Sequence, residues 1–392
     1  MAAETAKKFE ALEAQAQTLM ARFIAAGHEA VAPAIIQPAG VFLDVIGEAV
    51  RARTYVFTDP DGDELCLRPD LTVPTCRLYL ERHPGANVAA KYCYNGAAFR
   101  YQPAGADRAH PREFRQAGIE AFGNREREKA EAATVALILE ALRAAGLAEV
   151  ELRIGDLGLF RALLRSLEMP ERWRQHLMHR FWRPEAFHAE VKRLVSDPAA
   201  ALTGRPGALI AALGTGGRVE AERHVAAYLE REGIELAGVR TLGEITERLR
   251  WIAADAKATP LSPATARLIE SYVRIRAPAA SACARLKEQA RDRGPEMAKA
   301  LETFEERLDV LSELGIDAGR AEFSAEFGRM LGYYTGFVFE AVAPALGPSS
   351  PVAGGGRYDG LLKAVGAEGD VPSVGAAIHT ERLLAAVAGA KP

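Results

Sequence analysis

The 392-residue chain carries 49 Lys and Arg against 52 Asp and Glu, a net charge of −3, with 49% hydrophobic and 26% charged residues. Such a composition belongs to a folded chain of roughly two to three domains and excludes both a disordered tail and a chain that binds nucleic acid through bulk positive charge. No apolar run approaches the ~18 residues of a membrane-spanning helix.

The opening residues MAAETAKKFEALEAQ mix both charges and lack an apolar signal core. Phe9, Leu12, Ala16, Leu19, Met20 and Phe23 recur at three- and four-residue spacing, predicting an amphipathic helix over 4–26 that stops at Gly27. After an extended stretch ending in Gln37-Pro38, the run Arg53–Phe57 and the run Glu64–Arg68 predict a hairpin joined through Asp59-Pro60-Asp61-Gly62-Asp63. Two further strands are expected over 91–101 and 112–122, then a helix over 126–145 and a strand over 150–154. From about 160 to 315 the sequence is rich in Ala, Leu and Arg with no strand alternation, which predicts a helical insertion over 161–315. Strand signals return over 333–342, followed by a glycine-rich turn at Gly354–Gly360 and a last helix from about Thr380. The sheet-forming domain is therefore expected over 1–160 and 316–392, giving an α+β fold with a helical insertion domain.

Scattered Cys66, Cys76, Cys93 and Cys283 form no CxxC pair, which suits a reducing cytoplasmic location. His176, His179 and His188 have no cysteine or carboxylate placed to complete a zinc set, so no metal is expected.

The stretch Arg112–Gly123 carries the most chemical information. Read with the two-residue period of a strand, Phe114, Gln116, Gly118, Glu120 and Phe122 share a face, and Gly118 leaves room for a ligand against the backbone. The preceding run puts Arg100 and Gln102 on one face. Asp70 or Thr72 in Arg68-Pro69-Asp70-Leu71-Thr72 suits a helix N-cap. Arg329 precedes the strand-like Tyr333-Tyr334-Thr335-Gly336, where Tyr334 and Gly336 share a face, and Asp359 after the glycine turn is placed as a second N-cap. No Gly-Lys-Ser/Thr follows Gly354-Gly355-Gly356, so this is not a phosphate-cradling loop.

Phe99-Arg100, the loop after it and Arg112-Glu113-Phe114-Arg115-Gln116 resemble motif 2 of class II aminoacyl-tRNA synthetases. Leu331–Glu340 resembles the signature of the histidine-specific member, and Gly354–Leu361 with Ala377–Leu384 resembles the run into motif 3. The resemblance implies an antiparallel sheet flanked by helices and a pocket for free histidine. On that reading Glu120 takes the imidazole N–H, Tyr334 and Tyr358 surround the ring, Asp70, Thr72 and Gln116 accept from the ammonium, and Arg329 and Arg100 hold the carboxylate. Gln37-Pro38 resembles motif 1, which implies a homodimer.

The departures fall on the nucleotide side. The position two residues after Arg100 is a glutamate in the synthetases and Gln102 here, and the glycine three residues before the motif 3 arginine, Arg382, is His379. Only ten residues follow Arg382, too few for an anticodon-reading domain. These features resemble the ATP phosphoribosyltransferase regulatory subunits. That resemblance implies a chain with no catalytic residue and no cofactor, partnered by a short-form catalytic subunit in a hetero-oligomer and binding L-histidine for feedback on histidine biosynthesis. Membranes and nucleic acid are not expected partners. Two alternatives are a truncated histidyl-tRNA synthetase making histidyl-adenylate and a histidine- or tRNA-sensing module.

Overall fold

The structure is a computed structural model that describes residues 5–45, 48–102, 111–181, 183–196, 207–213, 217–234, 241–255, 257–327 and 332–389. By its internal contacts the chain forms two compact units, Met1–Ser166 with Tyr272–Pro392, and Leu167–Ser271.

Among the described residues, twelve strands belong to the first unit: β1 Glu29–Ala30, β2 Ile36–Pro38, β3 Val56–Thr58, β4 Glu64–Leu67, β5 Ala90–Phe99, β6 Glu113–Phe122, β7 Glu151–Asp156, β8 Arg276–Pro278, β9 Glu322–Ser324, β10 Phe337–Val342, β11 Ala353–Arg357 and β12 Ser373–His379. Nine of them form one sheet in the order β1-β5-β6-β12-β11-β10-β7-β9-β8, and β2-β4-β3 form a small second sheet. The central six strands are antiparallel, as expected, while β1 and β9 join β5 and β7 in parallel.

One face of the large sheet is covered by helices. The helix Arg127–Ala144 turns Val135, Ile138 and Leu142 inward and packs against the helices Ala6–Ala25 and Pro295–Glu313. Its hydrophobic positions make that face continuous. The helix Leu157–Arg165 is capped by Asp156, whose Oδ1 accepts from the Gly158 amide at 2.7 Å.

Within 161–315, where no strand was expected, Arg276–Pro278 forms β8 by pairing with β9. Three residues at a sheet edge are too few to leave an alternation in the sequence. The expected glycine turn is also different. Gly354–Gly356 lies inside β11, a buried strand between β10 and β12. A Cβ on Gly355 would strike the Gly375 backbone, so the strand is glycine because its neighbours leave no room. The strand expected from Tyr333 begins only at Phe337, so Tyr334 and Gly336 precede β10 instead of sharing a strand face. Asp359 caps no helix; its Oδ1 accepts from the Ser373 amide at 2.9 Å and from Arg357.

The second unit is helical, including Glu171–Arg180, Pro184–Ser196, Arg218–Arg231 and Leu242–Asp255. Trp173 is buried in it and donates through Nε1 to Asp255 at 2.6 Å. His176 and His188 pair with Glu190 and Glu270.

Phe160, on the helix Leu157–Arg165, is fully buried and stacks on Tyr272 with ring centroids 5.5 Å apart. Phe160→Ala is expected to destabilise the first unit by about 3–5 kcal/mol, read as a lower urea midpoint.

Candidate functional site

The face of the sheet opposite the helix layer carries the site. Strand pairing sets one row of it: Glu120 opposes Tyr92 on β5 and Gly375 on β12, and Gly375 opposes Gly356 on β11. The next row contains Tyr94, Gly118, Ala377 and Gly354. The floor is thus glycine and alanine, a surface that a ligand can approach down to the backbone.

Glu120 is completely buried. Its Oε1 accepts from the Tyr94 hydroxyl at 2.9 Å and its Oε2 from the Tyr358 hydroxyl. The Thr72 side chain lies close enough to help hold the carboxyl down. A Cβ on Gly375 would land on Glu120 Oε2, and one on Gly118 would lie 2.6 Å from the Tyr94 hydroxyl. Both glycines therefore make space for the carboxylate and its donors.

Asp70 is the second buried carboxylate. Its Oδ1 accepts from the Val73 amide at 3.2 Å, starting the helix Thr72–Arg82, while its Oδ2 accepts from the Tyr333 hydroxyl at 3.3 Å. The helix-initiating role read from the sequence falls to Asp70, and its second oxygen belongs to the site. Thr72 opens that helix and lies between both carboxylates.

Three tyrosine rings wall the opposite side. Tyr333 and Tyr334 centroids are 4.9 Å apart, and those of Tyr333 and Tyr358 are 5.8 Å apart. Gln116 is buried two positions along β6 from Gly118, and its Oε1 has no hydrogen-bond partner. Arg100 donates through Nε to Pro69 O at 2.9 Å and lies over the Phe114 ring at 5.2 Å. The structure thus brings Asp70, Thr72, Glu120 and Tyr358 together, Glu120 bonded to Tyr94 and Tyr358 and Asp70 to Tyr333, with Tyr334 in the wall. Arg329 lies outside the described residues. Sequence reasoning passed over Tyr94 and Tyr333. For Tyr94 a signal existed, since it falls opposite Gly118 once the 91–101 and 112–122 runs are paired.

Burial is the dominant force on Glu120 and pushes its carboxyl up to about 7; hydrogen bonds from Tyr358, Thr72 and Tyr94 oppose this, and the charge of Asp70 adds to it. Burial likewise raises Asp70, against the pull of Arg100 and the Val73 amide. Cys76, buried nearby, has its thiol raised well above the ordinary range by burial and by the two carboxylates. The described residues around Glu120 and Asp70 are thus mostly acceptors and neutral hydroxyls, an environment that favours cationic N–H donors.

On the nucleotide side predicted from the sequence, His379 lies on Phe114 with ring centroids 5.2 Å apart and 33° between planes. Arg382 donates through Nη1 to Pro351 O at 3.0 Å, and Arg112 donates to the Gln102 carbonyl. Among the described residues, no group of three or more His, Cys, Asp or Glu is placed to hold a metal ion, and no helix is long and apolar enough to cross a membrane.

The raised Glu120 carboxyl has a signed consequence for stability. The folded protein favours the protonated form, so this residue's stabilising contribution is intact below pH about 4.5 and is lost as pH rises through about 7. The loss amounts to on the order of 3 kcal/mol. Glu120→Gln does not titrate. Its stability relative to the parent, from urea denaturation at constant ionic strength, is expected to increase by that amount between pH 4.5 and 7.5. A difference that stays flat would mean Glu120 is ionised throughout.

A profile of the family described as Histidyl-tRNA synthetase matches residues 4–383. The chain is 34% identical over 355 residues to a Brucella anthropi protein named ATP phosphoribosyltransferase regulatory subunit, covering 89% of this chain and 90% of that one. It is also 34% identical over 366 residues to a Mesorhizobium japonicum protein of the same name, covering 92% and 94%. Among solved structures, an ATP phosphoribosyltransferase regulatory subunit/histidyl-tRNA synthetase from Bacillus halodurans superposes with a TM-score of 0.66 at 20% identity, over 99% of this chain and 82% of that one. A histidine–tRNA ligase subunit from Alicyclobacillus acidocaldarius gives 0.62 at 22% identity, over 99% and 96%. These two likenesses establish the class II synthetase-like fold.

Proposed function

Because the chain belongs to the histidyl-tRNA synthetase family, and within it to the ATP phosphoribosyltransferase regulatory subunits, we propose that it regulates a short-form catalytic subunit and binds L-histidine as the feedback signal. The observation that carries this reading is the buried Glu120, held by two tyrosine hydroxyls over a glycine floor beside a second buried carboxylate. Histidine presents an ammonium and an imidazole N–H, all donors. Asp70, Thr72 and the unpartnered Gln116 Oε1 supply acceptors for the ammonium, and Glu120 supplies one for the ring. Tyr334 and Tyr358 line the ring's place. Arg100, with Arg329 assigned by resemblance, balances the ligand's carboxylate.

The chain performs no adenylation on this reading. His379 covers one face of Phe114 and Arg100 lies over the same ring, while Arg382 is turned to the Pro351 carbonyl. Those contacts support a site in which the amino-acid half is kept and the nucleotide half is taken by the chain's own side chains. Feedback then requires histidine to bind two states of the complex unequally; a coupling of about 1–3 kcal/mol is the usual size.

Titration calorimetry with the purified chain is expected to detect histidine binding. Glu120→Ala removes a charge-assisted bond worth about 1.5–3 kcal/mol and is expected to weaken binding about 10- to 150-fold. Histidine-dependent ATP–pyrophosphate exchange is expected to be absent. Exchange would identify a truncated synthetase instead, and a folded chain with no histidine binding would remove the feedback reading. Co-purification with a short-form phosphoribosyltransferase tests the partner, with histidine inhibiting the assembled activity.

The small sheet supports a homodimer within that assembly. Ile36, Pro38, Leu65, Leu67 and Phe57 fall on one face by strand register, and Ile36 and Phe57 are exposed there. Water-exposed apolar side chains gathered on one sheet face suit burial against a second copy. Phe57→Asp with Ile36→Asp is expected to convert a dimer into a monomer in light scattering, with the far-UV spectrum unchanged.

A further inference from the structure

Five buried charged side chains lie on the helix-covered side of the sheet, behind the site. Glu131, from the helix Arg127–Ala144, gives Oε1 to Arg357 Nε and Oε2 to Arg307 Nε. Arg307, from the helix Pro295–Glu313, also donates through Nη1 to Asp156 Oδ2 at 2.7 Å. Arg357 donates through Nη1 to Asp359 Oδ1 at 2.8 Å and through Nη2 to Arg127 O at 2.9 Å. Each guanidinium is thus divided between different partners, so neither can turn without breaking two bonds. Arg127 lies 3.5 Å from Asp359, and Arg161 donates to Thr335 O at 3.1 Å, adding cations at the rim.

The chain passes from this cluster into the site within one residue. In β11, Gly356 shares the row of Gly375 and Glu120, so Arg357 falls on the opposite face. Tyr358, next along, reaches Glu120 with its hydroxyl. The residues on both sides of Tyr358 belong to the charged cluster. The Thr335 amide donates to Arg357 O at 2.8 Å, and the Asp359 amide donates to Thr335 Oγ1 at 3.1 Å. Arg307 also lies over the Phe337 ring at 4.8 Å, just after the Tyr333–Tyr334 turn. The Tyr358 segment is therefore tied to Glu131 through Arg357, the segment after Tyr334 is tied to Arg307 through the Phe337 ring, and Glu131 joins the two arginines.

We propose that Arg307 and Glu131 are positioning residues for the Glu120 site: acting through Arg357, they fix where the Tyr358 hydroxyl meets the Glu120 carboxylate, and so set ligand affinity from the far side of the sheet. A network that served stability alone could be replaced by apolar side chains of similar volume. One that sets geometry cannot. The affinity half of this proposal rests on the histidine reading above; the Tyr358–Glu120 half does not.

The test uses the full chain and needs no ligand for its first readout. The Glu120 carboxyl is followed by carbon NMR of glutamate-labelled protein, with its signal assigned by its loss in Glu120→Gln. Among the described residues, Tyr94, Tyr333, Tyr358, Thr72, Asp70 and Cys76 are the groups that face it, and they are unchanged in Arg307→Lys. If Arg307 positions the Tyr358 hydroxyl, Arg307→Lys raises the Glu120 midpoint by about 0.5–1 unit, the size of one hydrogen bond. Tyr358→Phe raises it in the same direction, and combining the two adds nothing further. Histidine affinity falls about 3- to 10-fold in Arg307→Lys. Where that variant does not fold, Asp156→Asn loosens Arg307 while its amide oxygen keeps the Gly158 cap, and Glu131→Gln provides the middle link. A folded variant whose Glu120 midpoint is unmoved, or whose shift adds fully to that of Tyr358→Phe, overturns the proposal. A moved midpoint with unchanged histidine affinity overturns its affinity half. If the parent binds no histidine, the functional reading fails and the midpoint still decides the relay.

Discussion

A carboxylate removed wholly from water must recover its hydrogen bonds from the protein, and Glu120 places that demand at the centre of the large sheet. Its two oxygens are met by hydroxyls from β5 and from the residue after β11, so strands from distant parts of the chain must arrive in one register. The same demand explains the small residues around it. Gly375 stands where any side chain would occupy the space of Glu120 Oε2, and Gly118 clears the Tyr94 hydroxyl. The glycine-rich strands at the middle of the sheet follow from the carboxylate, because close backbone approach gives the buried charge its neighbours.

A second feature of the site is that, among the described residues, the side chains that donate to Glu120 are neutral hydroxyls. Tyr94, Tyr358, Thr72 and Tyr333 satisfy oxygens without cancelling charge, and burial of Asp70 nearby adds to the electrostatic deficit. By contrast, the carboxylates behind the sheet are paired with Arg307 and Arg357, and Glu131 is held below the ordinary range by those arginines despite its burial. Two buried acidic groups in one unit therefore have opposite characters. Glu131 has its charge matched by two arginines, whereas Glu120 is met by hydroxyls. On the proposed reading that contrast separates a structural carboxylate from one that receives a cationic ligand.

Much of this was legible in the residues. The period-two reading of 112–122 placed Gln116, Gly118 and Glu120 on one face, and the pairing of β6 with its neighbours keeps them there. The hairpin around Asp59–Asp63 and the helix over residues 4–26 were legible because turn chemistry and apolar spacing act locally. What escaped was set by tertiary contact. Gly354–Gly356 reads as a turn from composition, yet it is a strand because its neighbours exclude a Cβ, information held in β10 and β12. Asp359 reads as a cap because it follows a glycine run, but Arg357 and Ser373 claim its oxygen. Tyr94 and Tyr333 were missed for a related reason: each becomes a site residue only through a partner far away in sequence.

On the proposed reading, the two halves of the site face keep a binding fold without its chemistry. An adenylating site needs an open surface for a nucleotide next to the amino acid, and differential stabilisation of a transition state between them. Here Phe114 has Arg100 and His379 packed on its ring, and Arg382 is directed to a backbone carbonyl. These contacts occupy the Phe114 ring and one donor of Arg382. The amino-acid half has the reverse balance, with an unpartnered Gln116 oxygen and a buried Glu120 that a bound cation would complete. On the proposed reading, binding energy at that half is not consumed in driving a reaction next door. It is available instead to favour one state of an assembly over another, which is the requirement a feedback sensor has to meet.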